Sequence, residues 1–173
     1  DRPGKAPGTG LPMSGPDRAS PIPPRLLCDE MLQRLGRWLR AAGYDTAIAA
    51  GGIPDRDLLE LAKAEMRVLI TRDRALASRS GVPVVALNET GIDAAAHTLR
   101  ASIGIDWLHA PFTRCIVDNA PLRPADDEER RGAPSRFVDR PDAVRACPLC
   151  RRIYWPGGHE QRMRARLTLW SRG

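Results

Sequence analysis

Three aspartates, Asp29, Asp57 and Asp73, lie at the ends of predicted elements in one stretch of this chain. Asp29 and Asp73 each follow a short apolar run that predicts a buried strand, and Asp57 lies in the first turn of a predicted helix. Parallel strands bring their carboxyl ends to one edge of a sheet, which is where α/β sheets bind ligands. Carboxylates clustered there hold Mg²⁺ or Mn²⁺ against a phosphodiester. The trio therefore predicts metal-dependent cleavage of nucleic acid.

Helix capping is the simpler explanation for each aspartate, because an Asp between a strand and a helix satisfies free amide groups without a metal. In the predicted helix after residue 54, Asp55 is the better candidate for the cap and Asp57 for the ligand, although either can serve as the cap. Capping alone does not require the run Thr71-Arg72-Asp73. Three such aspartates in one domain therefore favour a site.

Predicted strands and helices alternate from residue 25 to about residue 103, which implies a mostly parallel sheet covered by helices. The predicted strands are 25–28, 44–49, 68–71 and 82–87, and the predicted helices are 31–42, 55–65, 73–79 and 91–103. In helix 31–42 the apolar residues fall on one side, and Gly43 ends it. The opposite side presents Arg34, Arg37 and Arg40. The first two, one turn apart, can grip a phosphate, and the alternative is a solvated face.

The formal charge of +6 and the isoelectric point near 9.8 favour polyanionic partners such as RNA. Among the 27 basic residues only Lys5 and Lys63 are lysines, so a GC-rich genome is an alternative cause of the arginine usage. No apolar run approaches the roughly 20 residues that cross a bilayer, and the start does not resemble an export signal. A cytoplasmic protein with no membrane contact is expected.

Three of the four cysteines fall in the last third of the chain, and two of them form the pair Cys147 and Cys150. Without an export signal, this clustering favours a metal over a disulfide. The fourth, Cys28, is expected to be a buried strand residue. Residues 1–24 are rich in Pro, Gly, Ser and Asp and are predicted to be a disordered tail or linker.

Several segments resemble the Mut-seven C-terminal ribonuclease domain, a family of PIN-like nucleases. They are Cys28–Asp45, Asp57–Ala62, Val68–Asp73, Phe112–Cys115, Asn119–Pro124, Cys147–Cys150 and Ile153–His159. Together they cover about residues 25 to 165, in the order of the family. The combination is far more specific than any one segment.

This resemblance implies an α/β fold, a PIN-like three-layer α/β/α arrangement with a mostly parallel sheet, plus a small C-terminal zinc-ribbon-like module. The expected division is a nuclease domain over 25–104 and the ribbon-like module, with a basic C-terminal helix, over 105–173. The resemblance also implies a Mg²⁺ or Mn²⁺ ribonuclease site on the three aspartates. PIN-like nucleases usually add a further acidic residue, for which Glu30 and Asp93 are candidates. Family members can carry an upstream ubiquitin-like domain, which would make residues 1–24 a linker.

The ribbon-like module departs from its pattern in one ligand. A zinc ribbon needs two Cys-x-x-Cys turns, and the first turn here reads Cys115-Ile-Val-Asp118. Carboxylate binds zinc, so Cys115, Asp118, Cys147 and Cys150 form a candidate Zn²⁺ site. The alternative is that the ion has been lost and packing holds the module together. His159 follows two glycines and is expected in a phosphate-facing loop.

Three hypotheses about function remain. The leading one is a divalent-metal-dependent ribonuclease that hydrolyses RNA phosphodiester bonds. Its candidate substrate-binding residues are Arg34, Arg37, Thr71, Arg72 and His159. The second is a non-catalytic RNA-binding or ribosome-associated module that retains the nuclease fold. The third is the toxin of a toxin–antitoxin pair, which the appended ribbon argues against.

Overall fold

The structure is a computed structural model that describes residues 22–79 and 81–172. Most of the predicted tail, residues 1–21, lies outside the described residues, so that prediction is not addressed there. Within the described ranges, no helix combines the length and the apolar character needed to cross a lipid bilayer.

Four short parallel strands form the first sheet, in the order β2-β1-β3-β4. They are β1 (Leu26–Cys28), β2 (Thr46–Ile48), β3 (Val68–Thr71) and β4 (Val84–Ala86). In the central pairings, Leu27 of β1 lies opposite Ala47 on one side and Leu69 on the other. Each strand falls within the range predicted for it from the sequence.

Helices cover both faces of this sheet. They are α1 (Gln33–Ala41), α2 (Asp55–Ala64), α3 (Arg74–Ser78) and α4 (Ile92–Ile103), and a 3₁₀ turn (Glu30–Leu32) precedes α1. One core, which includes Leu26, Leu39 and Leu99, lies between the sheet and helices α1 and α4. The other, with Leu27 and Leu58, lies beneath α2 and α3. Because alternate strand residues point to opposite faces, both sides of each strand are apolar, as a covered parallel sheet requires. The expected three-layer α/β/α fold is confirmed.

Contrary to what the sequence led us to expect, Arg40 of α1 does not share the exposed side of the helix with Arg34 and Arg37. Its side chain is buried, with 7% of the residue exposed. The guanidinium donates hydrogen bonds to the backbone carbonyls of Thr46, Ile116 and Val117. Arg40 belongs to the first body, which is the parallel sheet with its helices, and it binds the loop that leads into the second body, the small sheet described next. Sequence periodicity does not reveal these contacts, because Ile116 and Val117 are distant from Arg40 in the chain.

The second body is a small antiparallel sheet in the order β5-β6-β7. Its elements are β5 (Arg123–Pro124), α5 (Asp127–Arg130), α6 (Ser135–Val138), a 3₁₀ turn (Pro141–Ala143), β6 (Arg145–Ala146) and β7 (Ile153–Tyr154). Asp126 caps α5, and the Glu129 side chain binds back to the Asp126 amide in a capping box. Phe137 and Val144 lie in the core beneath this sheet.

The C-terminal helix α7 (Gly158–Arg172) packs on the first body. Leu167 and Trp170 are buried in the same core as Trp107. The Trp170 ring lies edge-on to Trp38 and Trp107, with centroids 4.9 and 4.8 Å away, and its indole N–H donates to Asp93. The expected boundary near residue 104 remains a prediction, since segments after it complete the first core.

Candidate active site and metal centre

Asp29 and Asp73 lie where the connections of the sheet change direction. From β1 the chain passes through α1 to β2 on one side, then through α2 to β3 on the other side of β1. Helices α1 and α2 cover opposite faces, so a crevice opens beyond the carboxyl ends of β1 and β3. Open α/β sheets bind their ligands at such a point. Strands β1 and β3 are hydrogen-bonded neighbours, so their carboxyl ends lie side by side.

One hydroxyl group connects the two aspartates across the crevice. Thr71 is fully buried, and its Oγ1 donates to Oδ2 of Asp29 at 2.5 Å. The same oxygen accepts the backbone N–H of Asp73 at 3.0 Å. The Arg72 N–H adds a longer bond to Oδ2 of Asp29. The Thr71 side chain therefore holds both the carboxylate of Asp29 and the backbone of Asp73.

Both aspartates also cap helices, as the simpler explanation predicts. Oδ1 of Asp29 accepts the Met31 N–H at 2.9 Å, and Oδ1 of Asp73 accepts the N–H groups of Ala75 and Leu76 at 2.7 and 2.9 Å. Within residues 22–79 and 81–172, Oδ2 of Asp73 has no hydrogen-bond partner. Each carboxylate oxygen has two lone pairs, so capping leaves both groups able to accept a further ligand.

A cavity of about 170 Å³ lies beside these groups, and we call it the acidic cavity. Its carboxylate-bearing lining residues are Asp29, Glu30, Asp55 and Asp73. The structure places Asp55 there in the position that the sequence assigned to Asp57. Helix α2 starts at Asp55 after Pro54, and Asp57 lies two positions later, about 200° around the helix axis, where it does not line the cavity. The rotation of α2 decides between them, and that rotation follows from the packing of the buried Leu58 and Ala62 against the sheet.

The two candidates for a further acidic residue lie in different places. Glu30 lines the acidic cavity, and its Oε2 accepts the Gly52 N–H at 2.6 Å, which holds the loop before α2 against the site. Asp93, in contrast, pairs with Arg166 at 2.7 Å and accepts the Trp170 indole N–H. Glu30 thus belongs to the acidic cavity, while Asp93 attaches α7 to α4.

A second cavity of about 180 Å³, the arginine cavity, is lined by Arg34, Arg72 and the residues that begin α4. The Nε atom of Arg72 is buried and has no hydrogen-bond partner among the described residues. Helix α4 begins after Gly91 without a side-chain cap, so its first amide groups remain available. Free amides at a helix start and an unsatisfied guanidinium N–H both suit an anionic ligand.

Met31 connects the two cavities, since it lines both of them and is 71% exposed. Arg37 is exposed one turn from Arg34 but does not line the arginine cavity. Of the candidate substrate-binding residues, Arg34, Thr71 and Arg72 lie at the carboxyl ends of the strands, where the two cavities are. His159 lies in the first turn of α7 and not in the predicted loop, and it lines a different cleft.

The ligand atoms of Cys115, Asp118, Cys147 and Cys150 lie within 4.8 Å of one another. Sγ of Cys115 is 3.8 Å from Sγ of Cys150, and Oδ2 of Asp118 is 3.6 and 3.5 Å from the sulfurs of Cys115 and Cys147. A tetrahedron with zinc–sulfur bonds of about 2.3 Å separates its ligand atoms by roughly 3.5 to 3.8 Å. The cluster can therefore hold a metal ion such as zinc. No second group of three or more His, Cys, Asp or Glu ligand atoms this close together occurs in the described part of the chain, and the carboxylates of the acidic cavity lie farther apart than this.

The two turns that supply this cluster, 115–118 and 147–150, have equivalent backbones. Asn119 donates its N–H to the Cys115 carbonyl at 2.9 Å, and Arg151 donates to the Cys147 carbonyl at 3.0 Å. Both residues have positive φ, +66° and +58°. Backbone amides also bond the first sulfur of each turn, that of Asp118 in the first. Asp118 thus takes the place in the first turn that a cysteine takes in the second.

Asn119 joins the first metal-binding turn to the parallel sheet. Its Oδ1 accepts the Thr46 N–H at 2.9 Å, and its Nδ2 donates to Asp45 at 2.7 Å. Asp45 also pairs with Arg67 and Arg25. Burial raises the pKa of the Asp45 carboxyl, but hydrogen bonds from Arg67, Asn119 and Arg25 outweigh that effect and hold the pKa well below its usual range.

Cys28 takes no part in either site. Burial in the strand, with a smaller contribution from Asp29, raises the pKa of its thiol to about 12. The thiol therefore stays protonated, as expected for a buried strand cysteine.

A model of the Mut7-C RNAse domain matches residues 24–167, which include both cavities and the metal cluster. No curated protein and no solved structure matches the chain.

Proposed function

The chain belongs to the Mut7-C RNAse domain family, and on that premise we propose that it is a ribonuclease that hydrolyses RNA phosphodiester bonds with a divalent metal ion. The acidic cavity is the observation that carries the proposal. Four carboxylates line it, at the point where the connections between strands change direction: Asp29, Glu30, Asp55 and Asp73. The formal charge of +6 favours a polyanionic substrate.

Asp29 and Asp73 would hold Mg²⁺ or Mn²⁺, with Asp55 in the role predicted for Asp57 and Glu30 as the further acid. When bound, such an ion supplies an activated water and neutralises charge on the leaving oxygen. The Thr71 hydroxyl orients the Asp29 carboxylate by donating a hydrogen bond to it, and the capping amides orient the Asp73 carboxylate. Because these hydrogen bonds already orient the carboxylates, little reorganisation free energy is needed during the reaction.

The arginine cavity would hold a phosphate that flanks the scissile bond. Arg34 and Arg72 line it, and the buried Nε–H of Arg72 still requires an acceptor, which a phosphate oxygen provides. Arg37, one turn further along α1, would contact the next phosphate. Such contacts position the strand and carry no sequence preference. Met31, between the two cavities, would contact the nucleoside that joins the two phosphates.

Cleavage of a labelled single-stranded RNA with Mg²⁺ or Mn²⁺ tests the proposal. Asp29→Asn and Asp73→Asn should each reduce the rate by about 100-fold or more. Asp73→Asn should change the melting temperature little, because only one oxygen of Asp73 caps the helix and Asn caps as well as Asp does. Asp29→Asn should lower the melting temperature modestly, because it also removes the oxygen that accepts the Thr71 hydroxyl. Asp55→Asn and Asp57→Asn form a matched pair in one helical turn, and only the first should lose activity. Cleavage that persists in both the Asp29 and the Asp73 variant would refute the proposal.

One observation favours a second candidate, a non-catalytic RNA-binding or ribosome-associated module. Asp29 and Asp73 both serve as helix caps, a role that needs no metal. This candidate predicts salt-sensitive RNA binding without added divalent ions, together with no cleavage product in any metal. Cleavage that depends on the acidic cavity excludes it.

A further inference from the structure

A cleft of about 580 Å³ opens on the second body, and we call it the ribbon cleft. Tyr154 and Trp155 supply its aromatic surface, Arg151 and Arg152 its positive charge, and His159 an imidazole. It shares no lining residue with the acidic cavity or the arginine cavity. Its residues serve neither as metal ligands nor as part of the proposed catalytic machinery.

The positive charge of the ribbon cleft is not neutralised by the protein. Arg151 and Arg152 are exposed, and neither forms an ion pair in the described part of the chain. Glu129 lies near enough to interact with Arg151. That carboxylate is already bound by both terminal nitrogens of Arg123, at 2.7 and 2.8 Å. The two arginines therefore remain available to an anionic ligand.

The aromatic surface is held in place by its surroundings. Trp155 packs against the core of the second body but stays partly exposed. A Cβ on Gly157 would lie only 2.8 Å from the Trp155 indole nitrogen, so the ring lies directly against the glycine backbone. The Tyr154 hydroxyl lies 3.1 Å from Sγ of Cys115, which fixes that ring beside the metal cluster. Rigid rings in contact with solvent suit stacking, since little side-chain entropy is lost on binding.

We propose that the ribbon cleft binds single-stranded RNA, with a base stacked on Trp155 and neighbouring phosphates held by Arg151 and Arg152. Aromatic faces beside unpaired arginines are the combination that single-strand binding surfaces use. A duplex hides its base faces, so it cannot stack there. The inference rests on the proposed function only in taking RNA as the ligand, because the cleft makes its contacts independently of cleavage.

The second body, which carries the ribbon cleft, and the acidic cavity contact opposite ends of the strands of the parallel sheet. The second body contacts the chain at Gly43, Asp45 and Thr46, where β2 begins. The acidic residues follow the carboxyl ends of β1 and β3. Strands of this length span about 10 to 13 Å. An RNA strand that occupies both sites must span at least this distance, so the cleft would favour long single-stranded substrates over short ones.

Fluorescence anisotropy with a labelled single-stranded RNA of about 20 nucleotides tests the inference. Trp155→Ala should raise Kd about 10-fold, Trp155→Phe should restore most of the affinity, and Arg152→Ala should reduce both the affinity and its salt dependence. Arg100→Ala, an exposed arginine of α4, is the charge-matched control and should change Kd little. Equal Kd values for Trp155→Ala, Trp155→Phe and the unchanged protein would overturn the inference. So would equally tight binding of a duplex.

Cleavage assays separate this inference from the ribonuclease proposal. Trp155→Ala should reduce kcat/KM for the long RNA while leaving cleavage of an oligonucleotide of about four nucleotides unchanged. Binding that depends on Trp155 without any cleavage would support the ribbon cleft and reject the ribonuclease. Cleavage of long and short RNA that is equally indifferent to Trp155 would do the reverse.

Discussion

Thr71 shows how one buried hydroxyl can organise a site of like charges. It donates to Asp29 and accepts from the Asp73 backbone, so it links the ends of two neighbouring strands. Thr71→Val keeps the shape of the side chain and removes both bonds. We expect a loss of about 1 to 2 kcal/mol in unfolding free energy and a fall in cleavage rate of about 10- to 100-fold.

Urea denaturation and cleavage kinetics measure these two effects separately. Thr98→Val is the matched control, because the hydroxyl of Thr98, on α4, donates to Glu89 and neither residue lines the acidic cavity. That variant should change stability without changing the rate. Full activity in Thr71→Val would show that the hydroxyl does not orient Asp29.

Asp45 makes stability depend on pH in a defined direction. Its pKa is held low in the folded protein by Arg67, Asn119 and Arg25 despite the opposing effect of burial. The stability that it contributes is therefore fully present above about pH 4, the ordinary aspartate pKa, and is lost as the pH falls toward the lower folded-state value. Asp45→Asn should cost about 2 kcal/mol at pH 7, because it removes the charge that Arg67 pairs with.

Urea denaturation at a series of pH values measures this dependence. The difference in unfolding free energy between the unchanged protein and Asp45→Asn should narrow steadily below about pH 4. Asp57→Asn, an exposed aspartate, provides the control. A difference that stays constant down to pH 2 would contradict the assignment.

At the scale of elements, two glycines end helices for different reasons. Gly43 follows α1 with φ of +100°, and Gly104 ends α4 with φ of +69°. A Cβ at Gly104 would meet open space, whereas one at Gly43 would lie 2.3 Å from the carbonyl oxygen of Ala110. Gly104→Ala should cost about 1 kcal/mol for its backbone conformation alone. Gly43→Ala should cost about 3 kcal/mol, since the Ala110 loop must also move.

Thermal and urea unfolding of the two variants compares these costs directly. Equal losses would show that the contact with Ala110 yields freely and that only the backbone conformation matters. Helix ends of this kind are readable from the sequence, because glycine after an amphipathic run is a local signal. The close approach of Ala110 is not, because it joins residues far apart in the chain.

At the scale of the whole molecule, hydrogen bonds connect the candidate zinc site to the parallel sheet. Arg40 of α1 binds the carbonyls of Ile116 and Val117, which lie between the ligands Cys115 and Asp118. A metal ion that orders this turn should therefore also stabilise the body that carries the acidic cavity. Removing zinc with a chelator should lower the melting temperature of the whole chain in a single transition.

Variants of Asp118 identify the ligand. Asp118→Ala should weaken zinc binding, and Asp118→Cys should strengthen it, because a thiolate is the softer ligand. Competition with a zinc indicator measures both, with the exposed Asp139→Ala as the control. Equal zinc affinity in Asp118→Ala and the unchanged protein would remove Asp118 from the site.

The sequence by itself determined the alternation of strands and helices, the aspartates at the ends of β1 and β3, and the two metal-binding turns. Each of these depends on residues close together in the chain, so apolar spacing and motif spacing report them. Tertiary structure alone decided that Asp55 and not Asp57 lines the acidic cavity, that Arg40 is buried, and that α7 completes the first core. These outcomes depend on how each helix packs against the sheet and on which distant segment contacts it, and residues close together in the chain do not specify those contacts.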